Sequence, residues 1–181
     1  MSRFQMPILV LLLLFAGTAA PQTAPPPAAP AGETPMQLYT SADGRFSVLF
    51  PGAPTLSTET VSLKNGEKVL LYEVSAESDG GNTSYIVMYN DYQADVITGP
   101  PQDLLKRTRD GAVAGMTLLS DTEIELGGVP GRAYTATDTN GWGYDVHEFL
   151  SGVRFYQLII TTAKGHTATQ RDQFMNSFSI Q

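Results

Sequence analysis

The sequence predicts an α+β domain in which a mostly antiparallel sheet is flanked by two helices. The first observation is a run of strand-like segments over residues 123–160, separated by turn dipeptides such as Asn140-Gly141. The second is a pair of amphipathic segments, near residues 101–115 and 167–178, with the apolar period of a helix. Because strands outnumber helices and follow one another closely, the helices are expected to pack on a meandering sheet.

The strand predictions begin with residues 46–50, which alternate in polarity and end at a Pro-Gly turn. Two further alternating segments, residues 55–63 and 68–77, flank Asn65-Gly66, and Asn-Gly between such runs is the strongest short signal for a hairpin. Residues 83–90 carry apolar side chains on both faces. This pattern indicates a strand that is covered on both sides.

The first helix is predicted to begin at Pro100-Pro101, because proline is tolerated in a first helical turn. Gly115 is the predicted end of this helix. The helical period places one polar face opposite a buried face, and the buried face is expected to hold Leu104, Leu105, Thr108 and Ala112.

Four strands are predicted after this helix, at residues 117–126, 132–139, 144–150 and 153–161. The last of them is apolar on both faces and is predicted to be the central strand. Thr167 and Gln170 have the spacing of a capping box and predict the start of the second helix. Arg171 falls on its buried face and is expected to lift its charge out of the core.

Composition limits the classes of function. The chain has 181 residues, a formal net charge of −7 and no cysteine. An acidic chain repels phosphate backbones, so nucleic acid is not expected as a partner. The absence of cysteine excludes disulfides, thiolate metal sites and cysteine nucleophiles. No cofactor is predicted.

The first residues have the form of an export signal. Arg3 precedes an apolar block at residues 8–15 and small residues at 16–20, which predicts a signal peptide over residues 1–19. An uncleaved membrane anchor is the alternative, although the apolar stretch is shorter than a bilayer span. Residues 20–36 are predicted to be a linker rich in Pro and Ala, and residues 37–181 a single domain.

Six short motifs together resemble the Mog1/PsbP-like family of secreted bacterial domains. They are FSVLFPGAP (46–54), MYNDY (88–92), RDGAV (109–113), GGVPGRAY (127–134), RFYQLII (154–160) and FMNSFSI (174–180). The resemblance implies an α/β/α sandwich and a role in binding or assembly. It carries over no functional residue, because the matching positions are mostly Gly, Pro and apolar residues that shape the fold.

Two sets of polar residues are candidates for chemistry. Asp145 and His147 lie two residues apart on one predicted strand, next to Glu148, and could serve a hydrolase. A zinc site needs about four ligands, and the chain has only two histidines, so no metal site is predicted. The carboxylates of residues 121, 123 and 125 alternate along one strand and are interpreted as a solvated face rather than a calcium site.

Trp142 and Tyr144 are the predicted binding residues. The only Trp of the chain stands at a hairpin tip between two glycines, with Tyr144 two residues along on the same face. Exposed aromatic residues at such tips are common binding anchors. The alternative is that the indole ring lies on the sheet as part of a cross-strand pair.

The sequence thus predicts an exported, non-enzymatic binding or assembly domain of the bacterial envelope, located in the periplasm or outside the cell. Its expected partner is another envelope protein or a small ligand, and no membrane span is expected after signal cleavage. The alternative is an envelope hydrolase with Asp145 and His147 in its site.

Overall fold

The computed structural model describes residues 34–62 and 68–181. Within these ranges the chain forms ten β-strands and two α-helices. In chain order the elements are β1 (Met36–Ser41), β2 (Phe46–Pro51), β3 (Thr55–Ser62), β4 (Lys68–Ser78), β5 (Thr83–Asp91), α1 (Pro101–Ala112), β6 (Thr117–Leu126), β7 (Val129–Thr137), β8 (Gly143–Ser151), β9 (Arg154–Thr162), α2 (Arg171–Ser177) and β10 (Ser179–Ile180).

The strands form two antiparallel sheets. The larger sheet has seven strands in the order β3-β4-β5-β9-β8-β7-β6, and the smaller has three in the order β1-β2-β10. β9 occupies the middle of the larger sheet, with β5 and β8 as its neighbours. This confirms the prediction that the apolar segment near residues 153–161 is the central strand.

The predicted sandwich of one sheet between two helices is wrong, because the protein is mostly β. Helix α1 packs on one face of the larger sheet, and its buried residues include Leu104 and Leu105. The opposite face is covered by the smaller sheet together with α2, so that Phe46 and Phe50 of β2 share one core cluster with Tyr85 of β5. The smaller sheet was missed because β1 and β10 are short and lack a clear apolar alternation.

Aromatic side chains fill the space between the two sheets. Phe46 of β2 is fully buried and makes edge contacts with the rings of Tyr89 and Tyr156, which belong to the larger sheet. It also contacts the ring of Phe178, which follows α2. Aromatic rings bury large apolar areas, so this contact set ties both sheets and the last helix into one core.

Helix α1 agrees with its prediction at its start and on its buried face but ends at Ala112, before the predicted Gly115, whereas α2 differs at its start. The four residues assigned to the inner face of α1 are all buried. Helix α2 begins at Arg171, and no side chain caps its first turn, so the predicted capping box is wrong. The Gln170 side chain instead donates a hydrogen bond from Nε2 to the backbone oxygen of Thr34 at 2.8 Å. The amide therefore binds the segment before β1 rather than the helix.

Several predictions concern residues outside the described ranges. The proposed signal peptide, residues 20–33 of the proposed linker and the Asn65-Gly66 turn all lie there. The two strands on either side of that turn, β3 and β4, are paired antiparallel over eight residue pairs. In the described ranges, neither helix has the length and apolar character that crossing a bilayer requires.

Candidate functional site

The turn between β7 and β8 places the two predicted binding residues. Asp138 organises this turn, because its Oδ1 accepts hydrogen bonds from the backbone nitrogens of Asn140 at 2.9 Å and Trp142 at 2.8 Å. Gly141 follows with a positive φ of 86°, a conformation that glycine adopts without steric cost. The turn therefore fixes the backbone at Trp142.

The two aromatic residues differ in exposure. Trp142 is half-buried and packs against a core cluster on the α1 side of the sheet. Tyr144 belongs to that cluster and is only 7% exposed. The structure thus brings the residues to one end of the sheet without forming an exposed aromatic pair. Their role in binding stays a prediction.

An open cleft lies near this turn on the opposite face of the larger sheet. Its volume is about 260 Å³, and its lining comes from β6 to β9 and from the segment between β9 and α2. Threonine hydroxyl groups and small or branched apolar side chains alternate in the wall, among them Leu119, Thr135, Ile160, Thr162 and Ala168. Leu119 is 64% exposed at the cleft. The lining is thus both polar and apolar.

Asp145 and Arg171 supply charges to this cleft. Oδ2 of Asp145 accepts a hydrogen bond from Nε of Arg171, whose Nη1 donates to Asp172 at 2.9 Å. This contact joins β8 to the first residue of α2. The guanidinium group of Arg171 thus lies at the cleft, in agreement with the prediction that Arg171 lifts its charge out of the core. Oδ1 of Asp145 is buried and has no hydrogen-bond partner in the described part of the chain. An unpaired buried acceptor is costly to the fold, and its burial keeps this oxygen out of reach of a ligand in the cleft.

His147 lies on the same strand as Asp145 but does not line the cleft. Its side chain is half-buried, and its ring contacts Phe149 edge-on. Burial lowers the pKa of His147; Asp145 opposes this change, and Arg171 reinforces it. The predicted pair is therefore divided, with the carboxylate at the cleft wall and the imidazole packed beside the core.

Glu148 is the buried acidic residue that the sequence interpretation missed. It is fully buried between α1 and the sheet. Its Oε1 accepts hydrogen bonds from the Tyr134 hydroxyl and the Gln157 amide, both at 2.9 Å, and its Oε2 lies 2.8 Å from Oγ1 of Thr108. Burial raises the pKa of Glu148 to about 7, although these hydrogen bonds and Arg132 act in the opposite direction.

The Thr108 hydroxyl has two oxygen atoms within hydrogen-bond distance. Oγ1 of Thr108 lies 2.7 Å from the backbone oxygen of Leu105 as well as 2.8 Å from Glu148. A hydroxyl group carries one hydrogen, so it can donate to only one of these oxygens at a time. The Thr108 hydroxyl, which is the donor in both contacts, is therefore shared between Glu148 and the backbone oxygen of Leu105.

A sequence signal for Glu148 was present. Tyr144, Val146 and Leu150 alternate on one side of β8, and Glu148 interrupts this apolar set. Gln157 interrupts the apolar central strand directly opposite, since the two residues are paired in the register of β8 and β9. Two polar residues facing each other inside apolar runs indicate a buried polar pair.

The interpretation of the β6 carboxylates as a solvated face is wrong for Asp121. Its carboxylate accepts a hydrogen bond from Nε of Arg132 at 2.6 Å and lies 2.9 Å from Nη1 of Arg109. The hydrogen bond from Arg132 lowers the pKa of Asp121 against the effect of burial, and Arg109 lowers it further. Glu123 and Glu125 are exposed. Among the described residues, no three His, Cys, Asp or Glu side chains are placed to hold a metal ion.

The architecture is that of the PsbP-like fold. The chain is similar to the solution structure of cyanobacterial PsbP (CyanoP) from Synechocystis, with a TM-score of 0.54 and 14% sequence identity, over 86% of this chain and 98% of that one. A crystal structure of a protein of unknown function, PA94 from Pseudomonas aeruginosa, is more distant, with a TM-score of 0.41 and 13% identity over 71% of this chain and 83% of that one. No family model and no curated protein matches the sequence.

Proposed function

We propose that this chain is an exported, non-enzymatic domain of the bacterial envelope that binds its partner at the Asp145 cleft. The observation that carries the proposal is an open cleft whose wall combines the ion pair of Asp145 and Arg171 with the exposed side chain of Leu119. A polar group of a ligand would contact this ion pair. The nearby Leu119 and Ile160 offer apolar contact to the rest of a ligand.

The size of the cleft indicates what it can hold. Ligand pockets usually measure about 300–1,000 Å³. A cleft of about 260 Å³ therefore suits a small molecule or one side chain of a partner protein. Export is supported by the signal-like pattern of residues 1–19, and an envelope role by the resemblance of the motifs to the Mog1/PsbP-like family. The similarity to cyanobacterial PsbP supports the fold alone.

The hydrolase alternative receives less support from the same geometry. A general base must reach the reacting group, but the half-buried His147 does not line the cleft. Asp145 is held by the Arg171 guanidinium, which suits a binding wall better than a group that must exchange a proton. The separation of His147 from the cleft argues against a hydrolase with Asp145 and His147 in one site.

A pair of leucine variants tests the proposal. Leu119→Arg places a long charged side chain at the cleft, and Leu38→Arg on β1 is the matched control, since these leucines are 64% and 69% exposed. Each protein is incubated with native envelope extract, and the retained proteins and small molecules are quantified by mass spectrometry. We expect Leu119→Arg to retain at most about a tenth of what the unmodified chain retains, while Leu38→Arg retains nearly all of it. Equal retention by both variants would contradict the proposal.

A further inference from the structure

The two edges of the seven-stranded sheet differ in how they are protected. Edge strands expose unpaired backbone groups that can recruit another strand, and charges or bulges normally prevent this. β6 has both devices: its register with β7 shifts between Leu118 and Ser120, and it carries three carboxylates. This edge is therefore guarded against strand addition.

The opposite edge, β3, lacks these devices. Its eight residues, TLSTETVS, include no Pro or Lys, and Glu59 is the only charged one. It pairs with β4 over eight consecutive positions without a register shift. Residues 55–60 are exposed on both faces of the strand. A straight, weakly charged edge of this length is a template for an added strand.

Part of this edge also leaves apolar surface uncovered. β4 pairs with β5 only from Tyr72 onward, so the rows from Glu59–Leu71 to Ser62–Lys68 consist of β3 and β4 alone. Leu56 and Leu70 project from the same face and are 59% and 44% exposed. A ribbon of two strands has only marginal stability by itself. A third strand with apolar residues on this face would therefore stabilise it.

We propose that β3 accepts an added strand from a partner protein, and that this strand alternates apolar and basic side chains. The apolar residues would lie beside Leu56, on the face from which Leu70 of β4 also projects. On the other face Ser57 is paired with Glu73, so Glu59, two residues along, projects on the same side as Glu73. A basic residue of the partner would pair with Glu59, which has no basic partner among the described residues, while Glu73 lies one strand further in on the same face.

A second copy of the chain fits this edge less well than a basic partner. The chain carries a net charge of −7, and its own β3 would contribute Glu59 rather than a basic residue. Carboxylates brought together across paired strands repel each other. This surface is separate from the Asp145 cleft, and the inference stands independently of the function proposed there.

The test uses a synthetic peptide in which Lys and Val alternate, added to the isotope-labelled chain. Amide shifts in the nuclear magnetic resonance spectrum map the contact. We expect shifts and slowed amide exchange over residues 55–62, and no comparable effect from a scrambled peptide of the same composition. Shifts at β1 or β6 instead, or equal binding of the scrambled peptide, would overturn the proposal. Dimerisation through β3, detected by sedimentation, would identify a second copy as the occupant and overturn it as well.

Two sets of variants separate strand addition from general attraction between opposite charges. Glu59→Lys should weaken peptide binding by roughly fivefold, because one favourable cross-strand pair becomes repulsive. Asp95→Lys makes the same charge change at an exposed turn and should leave the affinity within about twofold of the original value. Equal weakening by both variants would show that the peptide binds through net charge alone, and this result would overturn the proposal.

Proline substitutions test the backbone contact directly. Successive residues of an edge strand point their N–H groups alternately toward the neighbouring strand and outward. Of Ser57→Pro and Thr58→Pro, one therefore leaves the β3–β4 ladder intact and removes an outward donor, and thermal unfolding identifies which. We expect that variant to lose peptide binding at least tenfold. Unchanged affinity in the stable variant would rule out strand addition.

Discussion

The Tyr134 hydroxyl donates a hydrogen bond to Oε1 of Glu148 at 2.9 Å, across the paired strands β7 and β8. Tyr134 is 2% exposed, and Glu148 is not exposed at all. A buried carboxyl group is tolerated when hydrogen bonds satisfy it, and Thr108 and Gln157 supply two more. This network connects helix α1 to three strands of the sheet, and it gives the core a titratable group.

The network predicts a pH-dependent stability. Burial raises the pKa of Glu148 from 4.5 to about 7, so the folded protein binds this proton more tightly than the unfolded chain. The resulting stabilisation is fully present below pH 4.5 and is lost as the pH rises through 7. It amounts to roughly 3 kcal/mol. Thermal unfolding between pH 4.5 and 8 should show this loss.

Glu148→Gln should remove most of that pH dependence. The amide has nearly the same shape as the protonated carboxyl and can donate to Thr108 while accepting from Tyr134. We expect the variant to lose the fall in unfolding temperature between pH 4.5 and 8, and to exceed the original protein in stability at pH 8. Glu77→Gln, at an exposed position of β4, is the control and should follow the original curve. Parallel curves for all three proteins would show that Glu148 does not titrate as described.

Asp121→Asn should destabilise the fold by roughly 2–4 kcal/mol. The substitution removes the charge that neutralises Arg109 and Arg132, which are 6% and 9% exposed. Glu123→Gln, two residues along and 3.9 Å from Arg132, is the control and should cost less than about 0.5 kcal/mol, because Glu123 is exposed. Urea unfolding of both variants measures the difference.

The ion pairs of Asp121 with Arg109 and Arg132 make the stability of the fold depend on pH with the opposite sign to Glu148. The pKa of Asp121 is lowered in the folded protein, so its stabilisation is present above about 3.8 and is lost as the pH falls through the lowered value. The gap in stability between the original protein and Asp121→Asn should therefore shrink in strong acid. A gap that does not shrink as the pH is lowered into strong acid would contradict the assignment of the ion pair.

The positions of the strands along the chain could be predicted more fully than the pairing between the strands. Alternation and turn dipeptides identified β5, β7 and β8, and the continuous apolar run of β9 identified the central strand, which is buried on both faces. The smaller sheet could not be predicted from local pattern. Its strand β1 is stabilised by pairing with β2 and by the contacts of Tyr39 with Phe46 and Phe50. Such contacts connect separate segments and leave no local pattern.

The site was predictable only in part. The position of Asp145 on a strand was apparent, but its partner Arg171 lies 26 residues away and is brought there by the approach of α2 to the sheet. Asp145 lines the cleft and His147 does not, and this difference also depends on the segment between β9 and α2 that forms part of the cleft wall. Glu148 could have been found from the interrupted apolar faces of β8 and β9. The unpaired oxygen of Asp145 could not, because it depends on the geometry of one side chain.

Trp142→Ala should lower stability by roughly 1–3 kcal/mol, since a half-buried ring leaves the core cluster on the α1 side. Trp142 is the only Trp, so its fluorescence reports this ring alone. The emission maximum of the folded protein should lie between the values for fully buried and fully exposed indole. A fully exposed spectrum with no loss of stability would instead favour the free binding tip predicted from the sequence.

Export predicts a defined start of the mature protein. Arg3, the apolar block at residues 8–15 and the small residues that follow have the pattern of a cleavable signal. Intact-mass measurement of the exported protein should therefore show a chain that begins near Ala20. Recovery of the protein in the membrane with Met1 retained would indicate an anchor instead.

The Asp145 cleft is proposed to bind a partner without converting it chemically. The most direct measurement is a titration of the isotope-labelled chain with the molecule captured from envelope extract, followed by amide resonances and by recovery of that molecule. We predict shifts centred on Gly143, Asp145 and Thr162, which line the cleft, and an unaltered ligand after incubation. Conversion of the ligand into a product, abolished by His147→Ala, would contradict the claim.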